Sequence, residues 1–324
     1  MKQLSLLSMK VALFLCPLPY LQVSEGLTMP FNEELDGLNH LEISLLSGLQ
    51  QDLLRAKDGS YCPDKTLDYE VELSLMKERS RRATKFTFWQ EAGLSPGMSV
   101  LDIGCGSGVT TECLAHAAAP GKVVGIDTSD VVLEQARQLQ HKSSLQNLHF
   151  EKHDVYDLRF PPNSFDFVWS QLLFQHLQNP EQALRQISRV LKPGGIICIV
   201  DAGYPPAGLV YPTSPIIESF LKRIYQLQMF YGGDQYVSFK LGSYLVNTGY
   251  TDVNVRQLMN IERGEGIRYC ADNYIPTASI MLKLEDKNLI EQVVREYYRI
   301  AALPEAFRYE SWWVAKGIKP ALSR

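Results

Sequence analysis

Apolar positions change their period along this chain, and the change predicts its elements. Between residues 31 and 57, Leu41, Leu45, Leu46, Leu49 and Leu53 recur every three or four residues, the stripe of a helix that packs on a core. A second helix is expected from about Asp68 to Ala92. Gly93 ends it, and Ser95-Pro96-Gly97 turns the chain into a strand. From there the pattern becomes a series of short apolar runs: Val100 to Ile103, Val123 to Asp127, Leu148 to Glu151, Phe165 to Ser170 and Ile196 to Asp201. Runs without polar alternation suit strands covered on both faces. Helical segments of roughly 10 to 15 residues separate them, which argues a parallel sheet. Leu191-Lys192-Pro193-Gly194-Gly195 is expected to stop a helix and turn into the fifth strand. Beyond Gly203 the helical period returns over residues 216 to 230. Tyr231-Gly232-Gly233 then makes a hinge, and a further helix runs through about Val246. The sheet resumes at Asp252 to Arg256. Helices over about 266 to 283 and 287 to 302 precede a last strand, Ser311 to Lys316.

The chemistry concentrates at the end of the first of these strands. Gly104, Gly106 and Gly108 occupy alternate positions directly after Asp102. Glycine there permits a tight strand-to-helix turn and leaves no Cβ between backbone and ligand. The helix expected over Val109 to Ala118 points its first amides at whatever sits on the turn. A dinucleotide site wants its third glycine one residue later, where this chain has Val109, and a carboxylate beside a pyrophosphate would repel it. Asp102 suits a ligand with a cationic head. S-adenosylmethionine, with its ammonium, sulfonium and adenosine, fits better than NAD. Asp127 follows Asp102 by 25 residues and ends the second strand, the place from which a carboxylate accepts from both hydroxyls of a ribose. Asp154, after the third strand, is placed to accept from the adenine amino group.

Taken in order, VLDIGCGSG at 100 to 108, VVGID at 123 to 127, HDVYDL at 153 to 158, FDFVWSQLLFQHL at 165 to 177 and LKPGG at 191 to 195 resemble the class I S-adenosylmethionine-dependent methyltransferases. The likeness is to the broad small-molecule group that includes the ubiquinone, menaquinone and sterol enzymes. It spans about residues 95 to 202. It implies a Rossmann-like, doubly wound, mostly parallel seven-stranded sheet, with N-terminal helices and a helical lid. It also implies that Gly104, Cys105, Gly106 and Gly108 form the cofactor turn and that Asp102 serves the methionine end. Asp127 with Thr128 would serve the ribose, Asp154 with Val155 the adenine, and Ser170 with Gln171 the methionine end. The expected division is a leader at 1–29, an N-terminal helical cap at 30–94, the cofactor-binding core at 95–202, a lid at 203–250, and strands and helices completing the sheet at 251–324. Within the cap, Tyr61 and the region of Arg79 are expected near the cofactor.

Composition narrows the partners. The chain has 324 residues, is 45% hydrophobic and 21% charged, and carries a net charge of −4. That balance disfavours a nucleic-acid grip. The short run Lys77 to Arg82 reads as a solvated helix face. Six cysteines without a C-x-x-C pair suggest reduced thiols, hence a cytoplasmic protein. No Cys/His set has zinc spacing, so no metal is expected. Val11 to Leu18, preceded by Lys2 and Lys10, resembles a secretory signal. Pro17 and Pro19 interrupt it, and it is too short to span a bilayer. A disordered leader, or a start at Met29, is the favoured reading. A homodimer stays open.

The segment after the fifth strand is expected to select the methyl acceptor. Tyr204, Tyr211, Phe220, Tyr225, Met229, Phe230, Tyr231 and Tyr236 would build an apolar, aromatic pocket, although some of them must simply pack the lid. The expected acceptor is a small apolar or aromatic metabolite, as in secondary metabolism. The alternatives are a quinone- or sterol-type C-methyltransferase, a protein methyltransferase and a noncatalytic cofactor-binding module. Alignment for in-line displacement can supply most of the acceleration. A hydroxyl or carbon acceptor needs a base as well. His176 is the best placed for that, against the commoner structural role; His153 lies on the adenine side.

Overall fold

The computed structural model describes residues 88–205, 208–275 and 286–321. The helices expected over 31–57 and 68–87, with Tyr61 and Arg79, lie outside the described residues. The last turns of the second of these are present as α1, Phe88–Ala92.

Five parallel strands carry the core: β1 (Val100–Ile103), β2 (Val123–Asp127), β3 (Leu148–Lys152), β4 (Phe165–Gln171) and β5 (Leu191–Ala202). Between them run α2 (Val109–Ala118), α3 (Asp130–Lys142) and α4 (Pro180–Val190). Local chemistry starts two of these helices. Ser129 Oγ accepts from Val132 N ahead of α3, and the Asn179 side chain accepts from Gln182 N ahead of α4, with Pro180 in its first turn. Downstream come β6 (Leu209–Tyr211), α5 (Pro215–Phe230), α6 (Val237–Asn247), β7 (Thr251–Glu262), α7 (Glu265–Tyr269), a π-helical turn (Cys270–Tyr274), α8 (Lys287–Ala301) and β8 (Phe307–Ile318).

The sheet order is β3-β2-β1-β4-β5-β8-β6, with β7 on the other side of β8. β8 runs antiparallel to β5, β6 and β7; the pairs among β1 to β5 are parallel. The sheet thus has eight strands where seven were expected. The extra one, β6, is three residues long and exists because Leu209 to Tyr211 pair with Tyr309 to Phe307 at the far end of β8. The second difference is at residues 191 to 195. α4 stops at Val190 as expected, but the next five residues are a bulged start of β5 and not a free turn. Gly194 N donates to Lys319 O (2.8 Å), Lys319 N donates to Gly195 O (2.9 Å), and the pairing with β4 shifts between Phe165 and Phe167.

Helices cover both faces of the central strands. Leu184, Ile187, Leu241 and Leu245 from α4 and α6 pack on one face; Trp89, Leu114 and Leu133 from α1, α2 and α3 pack on the other. Trp89 meets Trp169 edge to face at 5.5 Å. A further core joins α5, α7 and α8 through Phe220, Ile224, Val293 and Tyr297. In a sheet of this order the carboxyl ends of β1, β2, β4 and β5 form one rim, where such folds bind ligands. An open depression lined by Lys122, Asn147 and His149 lies at the opposite, amino-terminal rim.

Candidate functional site

The turn after β1 shows why glycine recurs there. Gly104, Gly106 and Gly108 have φ of 74°, 53° and 83°, the left-handed region. The turn is tied to β2: Gly104 N and Cys105 N both donate to Ile126 O, at 2.9 and 3.0 Å. A Cβ at Gly108 would come 2.5 Å from the Phe150 ring, so this glycine is required by packing. A Cβ at Gly106 would meet no atom of the described residues within 4 Å, so among them the space in front of it is open.

Two carboxylates flank the turn. Asp127 Oδ2 accepts from Gly106 N and Oδ1 from Ser129 N, both at 3.0 Å. Asp127 thereby ties the end of β2 to the glycine turn and to the start of α3. Asp102 is buried beneath the turn and accepts from Thr111 Oγ1 of α2 at 2.6 Å. Burial pushes its pKa up to about 7, opposed by the Thr111 hydroxyl and reinforced by the charge of Asp127.

The remaining expected residues divide. Thr128 is exposed at the end of β2. Cys105 turns its side chain into the core, and burial pushes its thiol well above the usual range. Asp154 is exposed, and its Oδ1 accepts from Tyr156 N at 2.9 Å, while Val155 packs into the core. Ser170, one residue before the end of β4, is fully buried beside Ile103 of β1. Gln171 Oε1 accepts from Thr110 Oγ1 at 3.4 Å, which joins the end of β4 to the first turn of α2. Leu172 then adopts φ 55°, an unusual conformation for a bulky residue, and Leu173 leans over Gly104. The 3-10 turn Phe174–His176 follows. His176 is half-buried and its backbone N donates to Leu173 O. His153 has a structural setting: its ring stacks on Phe160 at 4.4 Å, its Nδ1 accepts from Arg159 N, and its Nε2 faces Glu151 Oε2 at 3.3 Å.

The cofactor implied by the sequence can be tested against these residues. Two buried hydroxyls near the turn, Ser107 Oγ and Ser170 Oγ, have no hydrogen-bond partner among the described residues. Unpaired buried hydroxyls, an open face at Gly106 and two carboxylates fit a polar ligand with a cationic end. Thr111, Thr110 and Ser107 were not foreseen from the sequence. Their signal was small hydroxyl residues at the start of a helix that follows a glycine turn.

Of the aromatic residues after β5, three converge. Tyr204 stacks on Tyr236 at 4.6 Å and lies 6.2 Å from Tyr225. Burial, then the Tyr204 hydroxyl, push the Tyr236 phenol up to about 12. The others serve elsewhere. Tyr211 stacks on Phe307, Phe220 fills the core of α5, α7 and α8, and Phe230 meets Tyr231 edge to face, with Met229 and Phe230 half exposed. Cys105, Cys113, Cys198 and Cys270 are free thiols. Among the described residues no cluster of His, Cys, Asp or Glu could hold a metal ion, and no helix is long and apolar enough to cross a membrane.

Comparison with known proteins agrees with this geometry. A family model described as a methyltransferase domain matches residues 101–199. An uncharacterized methyltransferase of Schizosaccharomyces pombe is 35% identical over 119 residues, 35% of this chain and 42% of that protein. A demethylmenaquinone methyltransferase of Staphylococcus aureus is 33% identical over 117 residues, 36% of this chain and 48% of that protein. The chain thus spans less than half the length of these curated relatives. A crystal structure of a candidate methyltransferase from Bacillus halodurans shares the fold, with a TM-score of 0.52 and 18% identity over 72% of this chain and 98% of that one. Residues 101–199 thus match a methyltransferase domain, and the solved structure shares the fold in which that match lies.

Proposed function

We propose that this chain transfers the methyl group of S-adenosylmethionine to a small apolar or aromatic metabolite held beneath α5 and α6. The observation that carries this reading is the convergence of Tyr204, Tyr225 and Tyr236 just past the carboxyl end of β5, on the rim that holds the glycine turn. Stacked phenols give a large apolar surface with few polar hooks, which suits a flat, poorly charged acceptor. When bound, the sulfonium supplies a methyl group already on a good leaving group. The protein's part is then to bind, orient and exclude water.

In this reading Asp102, Ser170 and Gln171 serve the methionine end. Gly104, Cys105, Gly106 and Gly108 provide backbone approach, Asp127 and Thr128 meet the ribose, and Asp154 with Val155 borders the adenine. Replacing Asp127 by Asn keeps the size but removes the charge that holds Gly106 N and Ser129 N. S-adenosylmethionine affinity, measured by calorimetry, is expected to fall about tenfold. Wild-type affinity would remove Asp127 from the site.

A hydroxyl or carbon acceptor must lose a proton, and His176 is proposed as the base. His176→Ala should leave the cofactor dissociation constant within about twofold and lower kcat by about a hundredfold, within the usual range for general bases. A kcat near wild type would leave the imidazole a structural role. The Staphylococcus relative favours a second reading, a quinone-type acceptor methylated on carbon. Transfer of isotope-labelled methyl into a host-cell extract, followed by mass fractionation, tests both. Label in a small aromatic product supports the first reading and label in a prenylated quinone the second. Label in protein counts against both, and no label despite tight cofactor binding indicates a noncatalytic module.

A further inference from the structure

We infer that Asp201, at the end of β5, is a positioning residue that fixes the turn carrying His176 and the junction between α5 and α6 as one body. The inference rests on the methyl-transfer reading for what the turn and junction do, and on the following contacts for its geometry. The Asp201 side chain is fully buried. A carboxylate in that setting is strongly disfavoured unless donors surround it. Its donors are backbone amides: Gln175 N at 3.2 Å on Oδ2, Ala202 N at 3.0 Å on Oδ1, and the amide of Phe174. Two of the three belong to the 3-10 turn Phe174–His176. Asp201 therefore holds that turn from the side of the sheet.

The α5–α6 junction holds the same turn from its other side. Gln175 O accepts from Asp234 N at 2.8 Å and from Gln228 Nε2 of α5 at 3.1 Å. The glycines read from sequence as a hinge are what allow this approach. A Cβ on Gly233 would stand 2.7 Å from Gln175 O, and one on Gly232 would stand 2.6 Å from Gln178 Cγ. Gly233 lies against the turn and Gly232 against Gln178 just past it, so the junction is clamped there and not free to swing. The contacts then return to their start. Asp234 Oδ1 accepts from Tyr236 N at 2.9 Å, Tyr236 stacks on Tyr204, and Tyr204 is three residues beyond Asp201.

This circuit passes from β5 to the turn, to the junction, to the tyrosine pair and back to β5. Polar networks with every member satisfied set one arrangement, and loss of one member releases the rest. An apolar side chain at 201 would cap the strand equally well but would leave the amides of Phe174 and Gln175 without acceptors. Candidate base and acceptor-facing tyrosines would then lose their common anchor.

The test uses Asp201→Ala and Asp201→Asn in the full chain, read by amide exchange, cofactor calorimetry and steady-state kinetics. In Asp201→Ala, exchange is expected to rise about tenfold or more in residues 172–178 and 228–236 together, with β1 and β2 unchanged. Affinity for S-adenosylmethionine should stay within about twofold while kcat falls at least tenfold, and more than KM changes. Asp201→Asn keeps one acceptor and should recover part of both losses; it carries the test if the alanine variant does not fold. Faster exchange in 172–178 with 228–236 as protected as in wild type would overturn the inference, as would an unchanged kcat. A wild-type protein that transfers no methyl group would refute the proposed function instead, and the paired exchange would still decide the role of Asp201.

Discussion

Gly108→Ala is expected to destabilise the protein by about 2–5 kcal/mol without a ligand present, whereas Gly106→Ala, two residues away, is expected to cost only about 1–2 kcal/mol. Both glycines sit at positive φ, so both substitutions carry the left-handed penalty. The difference is the neighbour. At Gly108 the new methyl would come 2.5 Å from the tip of Phe150 and 3.1 Å from Ala136 Cβ. The same edge of Phe150 also fills the gap left by Gly125, where a Cβ would be 2.7 Å from Cε1, so the ring edge is fitted to two missing side chains at once. That edge is wedged into the space both glycines leave, in a core packed to crystal-like density. Gly106 has no such neighbour among the described residues. Its alanine variant should fold, yet lose S-adenosylmethionine affinity by at least about a hundredfold, because the methyl would occupy the ligand's approach. Denaturant titration and calorimetry on the two variants separate the effects. Wild-type affinity in Gly106→Ala would show that the space belongs to no cofactor. A neutral Gly108→Ala would refute the wedge.

The same contrast explains what could be read from the sequence. β1 to β5 were legible because each is a short apolar run set off by helical segments, and the glycine turn because its spacing is unusual. β6 was not, since Leu209 to Tyr211 pair only with residues 307 to 309, nearly a hundred positions later. Nothing local marks three residues as a strand. The bulged start of β5 was missed for a like reason: Gly194 and Gly195 have turn chemistry, and only Lys319 draws them into the sheet. At the site, Asp102 and Asp127 were legible from strand-end position. Asp201 was read only as the last residue of a strand, since its partners, Phe174 and Gln175, come from a turn 26 residues earlier. Of the eight candidate pocket residues, three converge, and the choice depends on how α5 packs against α8, which no period reveals.

Asp102→Asn should stabilise the cofactor-free protein at pH 8 while weakening its cofactor binding. Burial raises the Asp102 carboxyl from 3.8 to about 7, so the folded protein keeps that proton where the unfolded chain has lost it. Folding stability from this group is therefore fully present below about pH 4 and is lost as pH rises through 7. At about 1.4 kcal/mol per pKa unit, a rise from 3.8 to about 7 makes the loss about 4 kcal/mol. Asparagine keeps an acceptor for Thr111 Oγ1 and has no charge to desolvate, so the variant should gain on wild type between pH 5 and 8 and match it near pH 4. Asp201, raised to about 7 by its own burial, contributes a loss of the same sign in both proteins. The variant's pH dependence should thus shrink and not vanish. The gain has a functional counterpart. A cationic ligand end beside Asp102 would favour the ionised carboxylate, so wild-type affinity for S-adenosylmethionine should rise between pH 6 and 8, and that of Asp102→Asn should stay flat and at least about tenfold weaker at pH 8. A buried carboxylate held near neutrality, at a cost in stability, is what a site tuned to a cation would keep. Equal affinity in the two proteins across that range would mean that Asp102 serves only to hold α2 against β1 through Thr111.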